Sequence, residues 1–181
     1  MHLITRHLSL EELKPGDIAD VHQLHSLPET DHFNTLGIPA GIEETQQLVE
    51  QWLKLQQEEP QQSYVFCLKE KEKQTFAGLG AITLGKPKYR IGEIWYKVHP
   101  NFWGRGYATE TAFALLNFGF NTLRLHRIEA GCAVENVASA RVLEKAGMLC
   151  EGSKRKVLPI RGQWVDNYEY AILEEDFRQQ E

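Results

Sequence analysis

The chain has 181 residues, of which 42% are apolar, enough for one well-packed domain over residues 1–181 and short for two. Its net charge of −5 argues against a general nucleic-acid binder, which needs a dense basic surface to release counterions. Cys67, Cys132 and Cys150 stand far apart without a CxxC pair, so they read as buried, reduced thiols rather than a disulfide framework or a zinc site.

In chain order, residues 3–10 read as a strand, and Asp17 of Lys14-Pro15-Gly16-Asp17 as the cap of a helix reaching His25. An irregular stretch, 27–41, precedes a helix in which Leu48, Val49, Trp52, Leu53 and Leu55 recur at near-helical spacing. By position these two helices form a lid or substrate wall. Runs 64–68, 76–84 and 91–98 are β-branched or aromatic and predict an antiparallel meander, with the charged run 69–74 as a solvated hairpin tip. Ala108, Ala112, Leu115, Leu116 and Gly119 mark one face of a helix that packs on the sheet. A strand at 127–133, a short helix capped by Asn136 and ended by Gly147, and a hairpin of 154–158 with 167–173 complete an α+β layout with a mixed sheet. No basic N-terminal segment leads an apolar core, and the most apolar helix, 112–120, is too short to cross a bilayer. A soluble, cytoplasmic protein with no membrane partner is expected.

The most informative segment joins the strand ending at His99 to the helix starting near Tyr107. Pro100 lacks the amide donor that a ladder needs, and Gly104 and Gly106 allow backbone conformations that a Cβ disfavours. The loop amides and the first turn of the helix then point the same way, and the helix dipole adds about half a positive charge. A phosphate fits that end. Arg105 either adds a contact to an anionic ligand or points into solvent, and the same glycines also serve a plain strand-to-helix turn. A P-loop needs Lys-Ser or Lys-Thr where Tyr107-Ala108 stands, and a dinucleotide fingerprint needs a small residue where Thr109 stands.

Trp103-Gly104-Arg105-Gly106-Tyr107-Ala108 resembles the acyl-CoA pyrophosphate loop of the GNAT N-acetyltransferases. Trp103, in place of the usual Gln or Arg, is similar to the RimJ/RimL type, the ribosomal-protein N-terminal acetyltransferases. Asn136, Ser139 and Glu144-Lys145-Ala146-Gly147-Met148 resemble the Asn-x-x-Ser helix of that subgroup, which ends in Glu-Lys-x-Gly-Phe. The resemblance extends over essentially the whole chain. It implies a GNAT acyl-CoA N-acyltransferase fold, with a mixed, mostly antiparallel seven-stranded sheet flanked by helices. It implies acetyl-CoA as cosubstrate, no metal, direct transfer to an amine acceptor such as a protein N-terminus, and a monomer or homodimer. Cofactor-binding groups are then the backbone around Val98, the amides of Trp103, Gly104, Arg105, Gly106, Tyr107 and Ala108, and the side chain of Asn136. Two residues depart from the pattern: Leu143 stands where many members carry a proton-donating Tyr, and Trp95 where the subgroup usually has Gly.

Acetyl transfer to an amine needs an anchored thioester, a neutral amine, donors for the carbonyl oxygen and a proton for the leaving thiolate. Because Leu143 cannot donate, Ser139 is the candidate acid; its alternative is a helix residue satisfying local backbone. Glu93, in the apolar strand 91–98, is the candidate base; its alternative is a structural bond to a strand neighbour or Arg127. Trp95, Tyr96 and Tyr168 are candidates to line the acceptor. At pH 7, freeing an α-amine of its proton costs about 1.4 kcal/mol, against about 4.6 kcal/mol for a lysine-like amine, so a protein or peptide N-terminus suits a weak base. A polyamine or amine antibiotic is the alternative acceptor, and a non-catalytic acyl-CoA sensor the alternative from another class. His22, His25 and His32 have metal-like spacing but no HExxH motif, and Trp52 and Trp164 read as core or pocket wall.

Overall fold

The computed structural model describes residues 1–179; the last two residues of the expected 1–181 domain lie outside the described residues. Strands β1 (His2–Ile4) and β2 (Leu8–Glu12) precede helices α1 (Ile18–His25), α2 (Pro28–Asp31, a single turn) and α3 (Ile42–Gln56). Then come β3 (Ser63–Glu70), β4 (Phe76–Leu84), β5 (Ile91–Val98), α4 (Tyr107–Asn117), β6 (Arg127–Ala133) and α5 (Val137–Lys145). The hairpin β7 (Leu149–Ile160) and β8 (Gln163–Leu173) and the short α6 (Glu174–Arg178) follow.

All the strands join one sheet in the order β1-β2-β3-β4-β5-β6-β8-β7, in which only β5 and β6 are parallel. The mixed, mostly antiparallel layout is as expected, but the sheet has eight strands where seven were expected. Residues 3–10 break at Thr5, whose amide and hydroxyl both bond the Leu8 carbonyl at 3.0 Å, so the segment doubles back as the β1–β2 hairpin. A turn stapled by a Thr side chain lacks the Gly or Pro that marks most turns.

Two apolar layers hold the sheet. On one face α4, α5 and α6 pack Leu115, Leu116, Leu143 and Phe177 against Phe66, Ile94 and Ile128. On the other, Val21 and Leu24 of α1 and Val49 of α3 cover Val65, Leu79 and Ala81. Alternation along β5 assigns its side chains: Ile94, Tyr96 and Val98 join the first layer and Trp95 the second.

Several local expectations are revised. Asp17 accepts from the Lys14 amide at 2.8 Å and makes no side-chain cap to α1. Segment 27–41 contains the one-turn α2, and the C-terminal hairpin is longer than the pattern suggested, with register shifts after Cys150 and Lys154. Those shifts break the strict two-residue alternation that marks a strand. Cys67 and Cys132 are buried, whereas Cys150 is exposed, as is Trp164 at the hairpin tip.

Candidate active site

Pro100 starts a one-turn 3-10 segment, Pro100–Phe102, immediately after β5. The Trp103 amide closes that turn on the Pro100 carbonyl at 3.0 Å, so it is not one of the free donors expected of the loop. Beyond it, the amides of Gly104 through Thr109 have no hydrogen-bond acceptor among the described residues, and Glu110 makes the first bond of the helix, to the Gly106 carbonyl at 2.9 Å. Gly104 and Gly106 adopt φ of +75° and +81°, and a Cβ built on either meets nothing within 4 Å. Left-handed backbone, not crowding, is what requires glycine there. Six consecutive unpaired amides stand at the head of an eleven-residue helix, a cradle of donors that suits an anion.

Side chains of the loop serve mainly to fix it. The Trp103 indole donates to the Val98 carbonyl at 2.7 Å, tying the loop back to the end of β5. Tyr107 is buried, stacks on Phe102 at 5.8 Å and donates to Glu70 at 2.7 Å, which leaves its backbone amide as its contribution to the cradle. Arg105 is exposed, lies 5.2 Å from the Phe102 ring and 3.3 Å from the same Glu70 carboxylate. Ala108 contributes an amide from the first turn of α4.

Next to the cradle the sheet opens. β5 and β6 pair only through Ile91, Gly92 and Glu93 with Arg127, Ile128 and Glu129, and part beyond them. The His99 amide bonds Ala77 of β4 at 2.8 Å, so by alternation the backbone groups of Val98 and Tyr96 turn toward the gap. The Trp103 bond to the Val98 carbonyl agrees with that orientation, and it leaves the Val98 amide as the free donor at the gap's mouth.

Across this gap Tyr96 meets α5. Its phenol oxygen is 3.0 Å from Ser139 Oγ and donates to the Ser139 carbonyl at 3.3 Å. Burial pushes the Tyr96 phenol well above its usual range, so it keeps its proton. The Cys132 thiol is also pushed up, to about 11, by burial, with the Ser139 hydroxyl working against that shift. Asn136 caps α5, accepting from the Ser139 amide at 3.1 Å through its side-chain oxygen; its side-chain nitrogen has no partner among the described residues. Leu143 is core, 1% exposed.

Glu93 is exposed rather than buried in its strand, and among the described residues neither Arg127 nor any other side chain pairs with it; Arg127 bonds Glu129 and Glu151 instead. Local desolvation first, then the carboxylates of Glu129 and Glu169, raise the Glu93 pKa, against the opposing charge of Lys154. The structure thus brings Ser139 together with Tyr96, and places Glu93 on the opposite face of the sheet, beside Trp95. Trp95 packs against Trp52 of α3 at 5.5 Å between ring centroids. Tyr168 pairs with Cys132 and packs in the α4/α5 layer, on the same face as Ser139 and not on the Trp95 face. Of the histidines with metal-like spacing, His22 bonds Thr45 at 2.8 Å, His25 packs on Trp52, and His32 lies 3.1 Å from an Arg161 nitrogen. Among the described residues no three or more such side chains are grouped to hold a metal, and no helix is long and apolar enough to cross a membrane.

One residue that matters to the site is absent from the expectations above. Gly78 of β4 has φ +148°, and a Cβ there would run into the Lys97 carbonyl and come within 2.9 Å of Val98 Cα. Only glycine lets β4 approach the stretch of β5 that lines the gap. Glycine inside a strand was the available signal, since it marks bulges and close backbone approaches.

The helix-head amides thus lie beside a parted pair of parallel strands, and comparison with known proteins identifies the family. Residues 7–149 match the family described as "Acetyltransferase (GNAT) domain". The chain belongs to the GNAT acetyltransferase family. It is 45% identical over 93 residues, 51% of its length, to the uncharacterized N-acetyltransferase YnaD of Bacillus subtilis. The chain spans about half the length of the curated relatives it matches first, 53% of YnaD. Its fold is shared with the solved structure of RimL, a ribosomal L7/L12 alpha-N-protein acetyltransferase in complex with coenzyme A, at a TM-score of 0.86 and 19% identity, over 96% of this chain and 98% of that one. It is also shared with spermidine N-acetyltransferase from Vibrio cholerae in complex with CoA and spermine, at a TM-score of 0.83 and 22% identity, over 95% of this chain and 98% of that one.

Proposed function

We propose that this protein transfers an acetyl group from acetyl-CoA directly to the α-amine of a protein or peptide. The observation that carries the reading is the run of six free amides, Gly104 to Thr109, opening onto the gap between β5 and β6. Bound there, acetyl-CoA supplies an activated thioester carbon. The cradle holds the pyrophosphate, Asn136 offers its side-chain nitrogen to the pantetheine arm, and the Val98 and Tyr96 amides line the gap. Ser139 protonates the departing sulfur; when the always-protonated Tyr96 donates to Ser139 Oγ rather than to the Ser139 carbonyl, the serine proton is turned toward the gap. Glu93, on the face away from Ser139, draws the proton from the incoming amine, directly or through solvent.

Acceptor choice follows from the base. A carboxylate, even with its pKa raised, manages an α-amine far more easily than a lysine-like one. The likeness to RimL supports this acceptor, and three unpaired thiols fit the reducing cytoplasm. A second reading, polyamine acetylation, is favoured by the gathering of Glu93, Glu129 and Glu169 on one open sheet face and by the likeness to the spermidine enzyme. A thiol-release assay with acetyl-CoA against N-terminal peptides, spermidine and amine antibiotics separates them. Peptide turnover is expected; turnover of spermidine alone selects the second reading, and CoA binding without any turnover selects a sensor.

A further inference from the structure

Beyond Glu129 the strand β6 runs on without β5 along the gap, and Gly131 is its next residue on the Glu93 face, since Ala130 and Cys132 turn to the α4/α5 layer. The same alternation sets β8. Tyr168 and Tyr170 join the α4/α5 layer, so Asn167 and Glu169 lie on the Glu93 face. Glu169 acts electrostatically on Glu93 there, with Lys154 opposing it.

The Asn167 side chain does not stay over its own strand. A Cβ built on Gly131 would come within 2.8 Å of Asn167 Nδ2 and 3.2 Å of its Oδ1. Gly131 is not among the left-handed glycines, so room for that carboxamide is what glycine supplies. Asn167 thereby reaches across β6, the strand that edges the gap. Gly131 and Glu93 are both exposed, so this face is open to solvent on either side of the gap.

Bonding fixes which atom the carboxamide offers. Asn167 Nδ2 donates to Glu169 Oε1 at 2.6 Å, and Lys154 Nζ donates to Glu169 Oε2 at 3.0 Å. A carboxylate can only accept, so the carboxamide cannot turn over. Among the described residues Oδ1 then has no partner, yet it is not one of the sealed-off orphans, which are His25 Nε2, Asp31 Oδ1 and Lys97 Nζ. Glu129, the register partner of Glu93, is engaged by Arg127 at 2.7 Å. Glu93 and Asn167 Oδ1 are thus the acceptors without partners on the two sides of the gap.

We propose that Asn167 receives the acceptor: its Oδ1 accepts one N–H of the amine that attacks the thioester, across the gap from Glu93, while Glu169 and Lys154 position it. The inference rests on the reading above that an amine reacts in this gap, and it holds for a peptide or a polyamine. A neutral oxygen suits the task, because it binds an N–H of the free amine and leaves the nitrogen lone pair for the carbonyl carbon. A carboxylate in that place would favour the ammonium, which has no lone pair to give. Asn167 neither gains nor loses a proton. The C–N bond forms and the C–S bond breaks, with the amine proton leaving to Glu93 and the proton on sulfur coming from Ser139.

The test is steady-state kinetics on an amine that the parent turns over, with calorimetric CoA binding in parallel, for Asn167→Leu and Glu169→Gln. Asn167→Leu keeps bulk over Gly131 without the oxygen, so kcat/KM for the amine should fall by about 10- to 100-fold while CoA affinity holds. Glu169→Gln offers either an oxygen or a nitrogen to the carboxamide, which is then free to turn over. It should lose less, about 3- to 10-fold, again for the amine and not for CoA. Glu169 is half-exposed, so this variant carries the test should Asn167→Leu fail to fold. Parent-like amine kinetics in either folded variant, or an equal loss of CoA affinity, makes the Asn167–Glu169 pair structural and overturns the inference while the amine reading stands. CoA binding with no amine turned over by the parent overturns that reading, and the inference with it.

Discussion

At the scale of single residues, Glu93 separates a catalytic from a structural role. Desolvation and the neighbouring carboxylates of Glu129 and Glu169 hold its folded-state pKa above the ordinary value of 4.5. The fold therefore disfavours the ionised form, and the cost appears as pH rises from the unfolded value through the folded one. Glu93→Gln should keep or raise the melting temperature at pH 7.5, yet lower kcat/KM on the order of 10² and remove the acid limb of its pH profile. A full acid limb in Glu93→Gln assigns that limb to another group. The Tyr96 and Ser139 oxygens, 3.0 Å apart, invite a double-mutant cycle. If Tyr96 works only by aiming Ser139, Tyr96→Phe slows the enzyme by about tenfold or more, Ser139→Ala slows it at least as much, and the double variant is no slower than Ser139→Ala. Additive losses make the two hydroxyls independent.

Among the elements, the two kinds of glycine at this site predict two kinds of damage. Gly104 is left-handed in open space, so Gly104→Ala carries backbone strain alone, about 1–2 kcal/mol, and its clearest effect should be weaker CoA binding. Gly78→Ala adds a collision with the β5 backbone to unfavourable φ and should cost about 2–4 kcal/mol in urea unfolding, with β5 displaced at the gap. Similar losses for the two would refute the distinction. The same elements show what a sequence discloses. β4 and β5 carry β-branched and aromatic runs followed by Gly85 and Pro100, and their bounds match the expected 76–84 and 91–98, as those of β6 match 127–133. The Gly104/Gly106 loop and the Asn136 cap were legible because backbone chemistry allows few residues at those positions. The Thr5 turn was not, since a side-chain hydroxyl replaces the usual turn residues. Nor was the facing of the site. Which side of the sheet Glu93, Tyr96 and Tyr168 occupy depends on strand register, and the meeting of Tyr96 with Ser139 depends on how α5 packs, neither of which local pattern encodes.

For the molecule as a whole, the edge of the sheet and the cofactor cradle are tied through one carboxylate. Glu110, in the first turn of α4, accepts from the Thr5 hydroxyl, from the His7 amide at 2.6 Å and from the Leu8 amide at 3.2 Å, and lies 2.9 Å from His7 Nδ1. The β1–β2 turn is thereby fastened to the helix whose head carries the free amides. Burial alone would raise the Glu110 pKa, but the bonds from Thr5 and His7 more than reverse it, and the folded-state value lies below 4.5. A depressed carboxylate contributes stability that is fully present above the unfolded-state pKa and is lost as pH falls through the folded one. Glu110→Gln keeps the shape but weakens the charge-assisted bonds, so at pH 7 it should be less stable by about 1–3 kcal/mol. That gap should narrow as pH is lowered from 5 toward 3, because the parent loses its advantage there while the variant has none to lose. Parallel melting curves for the two proteins across that range, with a constant gap, would assign the loss to packing and dissolve the electrostatic link between the sheet edge and α4.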